Sequence, residues 1–489
     1  MRPLMIRSLL LFVAAAAGVA AQPAPLTDFA DRGAAGVETV LNGVGLAEAD
    51  GVVYFPAVGP GSFGSELWQY DTGTSTTSLA YDFSGAGGAE IKEVAALGGL
   101  VYAVPTMGSD ARTLQVYDPA TGQARPVRSL RKPGDIGLTA VADRLFFIDR
   151  SEDGVDEPYL YDPATGEATR AAQFAQGAPG ASARSPRVVD GTVYFFADNG
   201  AGAGDTVWGT DAETGSSSEF APGFNVTSLP VAWEGALYAE AYRTDGTEAG
   251  LLRKDGAGAV TLQSGFARDR APTPLVAGPD YLLLAFDGDG NDGGRAELYR
   301  YTGSAEPAVL SDPVEILDFD GAVVWDGLVY LSAFARDGSG ADIGLEPVTL
   351  DLATGALTVL ADLRPGRGGS FQNGYLLAGD ALYFSATPGS AAELFAVGVA
   401  TASEPVAVGD GVGAPFPNPT AGRATLPLGR PGAVRVTAYD ALGRAVAVLF
   451  DGVAGGAVEL RTDGLAPGPY ALRVEGPRGA ATRRLVVAR

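Results

Sequence analysis

The chain has 489 residues and a net charge of −24, and it contains neither cysteine nor histidine. Those two absences exclude disulfides, the usual zinc ligands and a Ser-His-Asp catalytic triad. A chain this acidic repels nucleic acid and anionic membranes, and the plain interpretation of its charge is solubility.

The first 21 residues have the pattern of a secretory signal peptide. Arg2 and Arg7 precede an apolar stretch from Ile6 to Val19, and Ala20-Ala21 is suited to cleavage before residue 22. The apolar stretch is too short for a comfortable membrane span, and no other stretch reaches that length. We therefore expect a signal peptide at 1–21, an N-terminal segment at 22–36 and no transmembrane segment.

A repeated pattern fills residues 37–408. Its aromatic or apolar centre recurs at intervals of 44 to 53 residues, at Tyr54, Tyr102, Phe146, Tyr194, Tyr238, Leu282, Tyr330 and Tyr383. Tight turns such as Asp50-Gly51 precede the centres, and turns of the form Asp-x-x-Thr-Gly, as at 118–122, close a later strand.

Four antiparallel strands in each copy are typical of a β-propeller blade. The pattern therefore predicts an all-β fold with an eight-bladed propeller at 37–408, or a seven-bladed one if one copy is degenerate. We expect the eight centres on inner strands. The segment at 37–41 is expected to add an outer strand to the last blade and so close the ring.

Two short motifs carry a resemblance to a family of secreted bacterial repeats. Glu66-Leu67-Trp68 and Asp245-Gly246-Thr247 match the Glu-Leu-Trp and Asp-Gly-Thr motifs of that family, although the second stands before the third strand instead of after it. The resemblance implies a secreted propeller and implies no activity.

One loop resembles a calcium-binding loop. Asp287, Asp289 and Asn291 alternate with glycines, and such oxygen-rich turns suit hard cations. The sixth and twelfth positions, Asp292 and Leu298, depart from the helix-loop-helix calcium motif. The sequence therefore leaves open whether these residues bind calcium, the one cofactor considered, or form a solvated polar loop.

The C-terminal part of the chain differs in charge and in motif. From Gly413 onward ten arginines stand against five acids, a net charge of +5, so residues 1–412 carry −29. This break predicts a linker at 409–414 and a separate domain at 415–489. Short apolar strands with turns at 440–443 and 467–468 predict a small Ig-like β-sandwich.

The motifs of this domain closely resemble the C-terminal sorting domain of the type IX secretion system of Bacteroidetes. The resemblance rests on Pro415-Phe416-Pro417-Asn418-Pro419 and on the segment 465–474, in that order and spacing. It implies that residues 415–489 interact with the type IX secretion machinery. The protein would then be secreted or attached to the outer cell surface after passing through the periplasm.

The repeat region contains no convergent catalytic signature, so we expect a non-enzymatic binding or adhesion protein with a glycan or protein ligand. No catalytic residue and no organic cofactor site is predicted. The alternative is a secreted polysaccharide- or peptide-degrading enzyme with a carboxylate-based site on the propeller face. Four tryptophans could bind a glycan, but core packing is their better interpretation: Trp68, Trp208, Trp233 and Trp325.

Overall fold

A computed structural model describes residues 23, 25–29, 36–37, 45–59, 64–85, 89–107, 111–174, 183–198, 205–264, 271–278, 280–287, 296–303, 307–309, 316–325, 327–336, 342–352, 354–366, 369–370, 373–379, 381–398, 420, 422–428, 432–439, 445–454, 457–466, 468–476 and 479–487. The chain divides into two compact units, Met1–Val397 and Gly398–Arg489. The all-β class predicted from the sequence is confirmed. In the described ranges no helix is long and apolar enough to cross a membrane.

Eight sheets follow one another through the described residues of the first unit. Sheets 1 to 4 contain β1 (Gly36–Val37), β2 (Ala47–Ala49), β3 (Val52–Val58), β4 (Glu66–Asp71) and β5 (Thr76–Tyr81); β6 (Glu90–Leu97), β7 (Leu100–Met107), β8 (Ala111–Asp118) and β9 (Gln123–Leu130); β10 (Thr139–Val141), β11 (Arg144–Arg150), β12 (Asp156–Asp162) and β13 (Glu167–Arg170); β14 (Arg184–Val189), β15 (Thr192–Ala197), β16 (Thr206–Asp211) and β17 (Ser217–Glu219).

Sheets 5 to 8 repeat this arrangement, with three strands in the last sheet. They contain β18 (Phe224–Val226), β19 (Val231–Trp233), β20 (Ala236–Arg243), β21 (Ala249–Asp255) and β22 (Val260–Gln263); β23 (Thr273–Ala277), β24 (Leu282–Asp287), β25 (Ala296–Tyr301) and β26 (Ala308–Val309); β27 (Ile316–Trp325), β28 (Leu328–Arg336), β29 (Asp342–Asp351) and β30 (Leu357–Val359); β31 (Asn373–Ala378), β32 (Ala381–Ala386) and β33 (Glu393–Gly398). In each sheet, the strand that a short turn joins to the strand of the repeat centre is called the first strand. These first strands are β2, β6, β10, β14, β19, β23, β27 and β31.

The turn after each first strand follows the local sequence. At Asp50-Gly51 both residues have positive φ, 52° and 81°, and Asp190-Gly191 repeats this with 48° and 76°. Two successive positive φ angles match the right-handed twist of a hairpin, and Asp-Gly adopts them readily. The hairpins predicted from these dipeptides are confirmed.

The eight repeat centres occupy the same place in all eight sheets. Each lies on the strand after the first strand, from Tyr54 on β3 to Tyr383 on β32, and each is at most 8% exposed. Of the four tryptophans, Trp68, Trp208 and Trp233 pack in apolar clusters between sheets, as the core-packing interpretation expects. The apolar core therefore lies between neighbouring sheets.

The N-terminal segment pairs with the last sheet. Pro25 forms a bridge with Phe395, and the Leu26 amide donates to the Leu394 carbonyl at 2.7 Å. The expectation that residues 37–41 add a strand to the last blade is wrong at Val37, because Gly36–Val37 pairs with β3 of sheet 1, and residues 38–41 lie outside the described residues. Apolar alternation in a short segment does not specify which sheet edge it joins, whereas the side chains of residues 27–29 fit the last sheet.

One pair of contacts recurs between sheets. In sheet 3 the Phe174 amide donates to Glu157 at 3.1 Å, and the Phe174 ring meets Trp208 of sheet 4 edge-on at 5.1 Å. In the N-terminal segment the Phe29 amide donates to Glu393 of sheet 8 at 3.2 Å, and its ring meets Trp68 of sheet 1 edge-on at 5.0 Å. The contact that joins sheets 3 and 4 therefore also joins sheets 8 and 1.

A tyrosine contact recurs in the same way. Tyr54 of sheet 1 lies 6.2 Å from Tyr117 of sheet 2, and the same strand positions pair Tyr102 with Tyr161 at 6.1 Å. Tyr383 of sheet 8 lies 6.3 Å from Tyr70 of sheet 1. Each distance joins ring centroids, and each pair consists of a repeat centre and the third strand of the following sheet. The last sheet thus meets the first as other neighbours meet.

The second unit contains two sheets with a common apolar core. Its described strands are β34 (Arg423–Pro427), β35 (Gly432–Tyr439), β36 (Ala445–Ala454), β37 (Ala457–Arg461), β38 (Gly468–Gly476) and β39 (Gly479–Val487). One sheet pairs β34 with β37, and the other has the order β36-β35-β38-β39. Leu426 and Leu460 of the first sheet pack in one cluster with Val436, Leu472 and Leu485 of the second.

Candidate functional site

The first strands of neighbouring sheets lie side by side, for example β19 with β23 and β23 with β27. A pocket of about 250 Å³ opens where four of these strands, β14, β19, β23 and β27, approach each other. Its wall consists of Arg187, Val189, Pro230, Val231, Ala232, Leu275, Val276, Ala277, Ala322 and Val324.

Most residues that form this wall have aliphatic side chains, although nearly half of the surface that the pocket exposes is polar. Nine of the ten wall residues are aliphatic or proline, and Arg187 is the only charged one among the described residues that form the wall. Val324 leaves 39% of its surface exposed. Exposed aliphatic surface in a concave site is what a ligand with an apolar body covers.

An acidic rim borders the pocket. The turns that follow β14, β19 and β23 carry Asp190, Glu234 and Asp280, and all three residues are exposed. Asp190 and Glu234 both adopt a positive φ of 48° in these turns, a conformation in which aspartate is enriched. The same turns in sheets 1 and 3 carry the exposed residues Asp50 and Asp143, and neither residue belongs to the pocket wall.

A second series of aspartates stabilises the turns after the third strands. Asp71 accepts the Gly73 and Thr74 amides at 2.8 and 3.1 Å, and Asp211 accepts the Thr214 amide at 2.6 Å. The Thr74 amide holds the pKa of Asp71 below its ordinary value, and the Thr214 amide does the same for Asp211. These carboxylates are occupied by their own turns.

The predicted calcium loop falls mostly outside the described residues. Asp287 is the last residue of β24, while Asp289 and Asn291 lie outside the described ranges. Calcium binding at these three residues therefore stays a prediction. Among the described residues there is no group of three or more metal-ligating side chains.

A further acidic cluster at 153–157 is engaged in ion pairs. Asp156 meets Arg150 at 2.7 Å, and Glu157 meets Arg170 at 2.9 Å. Asp156 and Glu157 are both buried. Paired with cations in this way, these carboxylates hold strands together and do not form a calcium site.

Sequence reasoning missed a set of buried glutamates on the third strands. Glu66 accepts the Phe83 and Ala89 amides at 2.8 and 3.0 Å, and Glu346 accepts the Leu363 amide at 3.1 Å. A signal was available in the spacing, because Glu66, Glu157 and Glu346 each stand five residues before the aspartate of the following turn. These carboxylates bind the segment that leads to the next sheet.

The buried tyrosines are also structural. Burial raises the pKa of Tyr54 and of Tyr102 to about 12, so both phenols keep their protons at neutral pH. Neither residue belongs to the pocket wall. They therefore provide no general base near the pocket.

Comparison with known proteins identifies the second unit. Residues 414–488 match a family described as the secretion system C-terminal sorting domain. The chain therefore carries a type IX sorting domain, and the protein is exported to the cell surface or the medium. None of the curated proteins matches the chain.

Solved structures similar to the chain include β-propellers. A prolyl endopeptidase is 11% identical over 73% of this chain and 55% of its own length, with a TM-score of 0.44. The β-propeller domain of the Trilobed protease from Pyrococcus furiosus is 15% identical over 63% of this chain and 95% of its own, with a TM-score of 0.41.

PorZ, a surface component of the type IX secretion system of Porphyromonas gingivalis, is 15% identical to the chain. The match covers 90% of this chain and 64% of PorZ, with a TM-score of 0.38. The chain thus spans 55% and 64% of the lengths of the prolyl endopeptidase and PorZ. TM-scores below 0.5 fix neither the number of blades nor an activity.

Proposed function

We propose that this exported protein is a closed eight-bladed β-propeller that binds an extracellular ligand in the pocket between its first strands. The recurring Phe–Trp and Tyr–Tyr contacts support closure, because both also join sheet 8 to sheet 1. In this proposal the ring begins at Pro25 and ends at Gly398, residues 409–414 form a linker, and 415–489 form an Ig-like sorting sandwich.

The aliphatic side chains of the pocket wall are the observation that favours a binding function over an enzymatic one. Hydrolysis of a polysaccharide needs two carboxyl groups about 5 to 10 Å apart at the site. The wall residues include no carboxylate, and the three acids of the rim are exposed and stand on separate turns. Glu48 on β2 accepts the Gly51 amide at 2.7 Å within its own turn, and the buried Glu93 on β6 accepts the Ile136 and Leu138 amides.

A neutral apolar dye tests whether the pocket binds ligands. N-phenyl-1-naphthylamine should fluoresce more strongly with the purified protein. Ala232→Phe should reduce this signal several-fold, because the added ring occupies the pocket. Ala140→Phe is the matched control, because Ala140 has the same place on β10 as Ala232 has on β19, outside the wall.

Equal dye binding by Ala232→Phe and by the wild-type protein would contradict the proposal. Hydrolysis of polysaccharide or peptide by the wild-type protein, lost in Ala232→Phe, would favour the enzyme instead.

A further inference from the structure

The pocket wall and the acidic rim are close together along the strands. Asp190 follows the wall residue Val189 directly, and Glu234 stands two residues after Ala232. Asp280 stands three residues after Ala277. Since a strand advances about 3.3 Å per residue, each rim acid lies within about 10 Å of the wall.

Arg187 does not reverse the charge of this site. It is one guanidinium against three exposed carboxylates, and residues 1–412 as a whole carry −29. Arg187 is half-buried and already has an interaction partner within the protein. The electrostatic potential at the rim is therefore negative, and it attracts a cationic group and repels an anionic one.

We propose, as an extension of the binding function above, that the pocket takes a cationic amphipathic group, in which an apolar chain or ring carries an amine or a guanidinium. The apolar part lies against Val231, Ala277 and Val324. The positive charge points to the rim formed by Asp190, Glu234 and Asp280.

The charge preference has a measurable size. Three carboxylates about 8 Å from a ligand cation, in water at low salt, together strengthen binding by about tenfold. Salt at 0.3 M screens charges at this distance, so most of that preference should disappear there.

Three six-carbon probes separate the contribution of charge from that of the apolar chain. Calorimetry with hexylammonium, hexanol and hexanoate at 20 mM salt should give affinities in that order, with about tenfold between hexylammonium and hexanol. An acetylated Leu-Lys amide is the fourth probe. Binding of both amines indicates a site open to peptide side chains, whereas binding of hexylammonium alone indicates a small free amine, and both results support the proposal.

Two rim variants test the position of the cation. The triple variant Asp190→Asn, Glu234→Gln, Asp280→Asn should lose the tenfold preference and its salt dependence. The matched control, Asp50→Asn with Asp143→Asn, removes equivalent turn acids from sheets whose strands do not form the wall and should keep the preference. Arg187→Met should bind hexylammonium as tightly as the wild type or more tightly.

Tighter binding of hexanoate than of hexylammonium, lost in Arg187→Met, would overturn the proposal and indicate an anionic ligand. Equal affinity for all three probes would also overturn it. Either result would leave the binding function intact, provided that the neutral dye still distinguishes Ala232→Phe from the wild type.

Discussion

Single buried glutamates hold neighbouring sheets together in the first unit. Glu66 uses both carboxylate oxygens, which accept the Phe83 amide, the Ser84 hydroxyl and the Ala89 amide. Glu346 uses one oxygen for the Leu363 amide and the Ser370 hydroxyl, and its Oε1 has no partner among the described residues. The two residues therefore respond differently to the loss of a charge.

Burial raises the pKa of Glu346 above its ordinary value of 4.5, so the folded protein holds this proton more tightly than the unfolded chain does. Below pH 4.5 the carboxyl is mostly protonated in both the folded and the unfolded state, so its ionisation does not lower the free energy of unfolding. It lowers the free energy of unfolding as the pH rises from there toward the pKa of the folded state. In urea unfolding, Glu346→Gln should therefore match the wild type near pH 4 and be more stable than it at pH 7, with a difference that grows as the pH rises.

Glu66→Gln is the control for this measurement. Its new amide nitrogen cannot accept a hydrogen bond, so we expect a loss of about 1 to 3 kcal/mol in the free energy of unfolding at pH 7. A difference between Glu346→Gln and the wild type that stays constant from pH 4 to pH 8 would contradict the titration argument.

At the scale of the element, sheet 8 has three strands among the described residues, and the N-terminal segment pairs with the last of them, β33. Thr27 and Phe29 bind Glu393 as the segments after other fourth strands bind their own glutamates. In the proposed ring, the strand that joins its two ends therefore comes from residues 25–29, and the other three strands of that sheet come from residues 373–398. Long-range pairing of this kind closes the proposed propeller.

Phe29→Ala should destabilise the first unit by about 3 to 5 kcal/mol, because the ring is 2% exposed and packs against Trp68. Phe174→Ala, the equivalent residue between sheets 3 and 4, should cost a similar amount. Chemical unfolding of both variants gives the comparison. A large loss for Phe174→Ala with none for Phe29→Ala would show that the N-terminal strand does not close the ring.

The loop that follows β24 carries the calcium prediction. Calcium bound by Asp287, Asp289 and Asn291 should raise the melting temperature, since a ligand that binds only the folded state stabilises it. Calorimetry with calcium and with a chelator measures the shift, and Asp289→Ala should lose most of it. The same shift in both proteins would remove the site.

At the scale of the whole molecule, two units with opposite net charge and separate cores make up the chain. The first unit has its own apolar clusters between sheets, and the sorting domain has one cluster of its own. Since each unit buries its own core, we expect the propeller to fold without the sorting domain.

Deletion of residues 413–489 should leave a folded propeller in the periplasm. Residues 414–488 match the sorting domain, which the secretion machinery recognises, so the truncated chain should not be exported from the periplasm. Fractionation of cells that express the truncated and full-length chains measures the result. The control tests whether the sorting domain is sufficient for export. A foreign periplasmic protein that is fused to residues 413–489 should be exported. Equal export with and without residues 413–489 would contradict this role.

The sequence by itself determined the all-β class, the eightfold spacing, the hairpin turns and the sorting domain. These features depend on neighbouring residues, such as Asp50-Gly51, or on a motif read in order, such as 415–419. Tertiary structure alone decided which segment pairs with sheet 8, because Val37 and Leu26 are both apolar and only the contacts of Phe29 with Glu393 and Trp68 distinguish the two edges. The pocket, too, required the fold, since its ten wall residues come from four sheets, up to 137 positions apart in the chain.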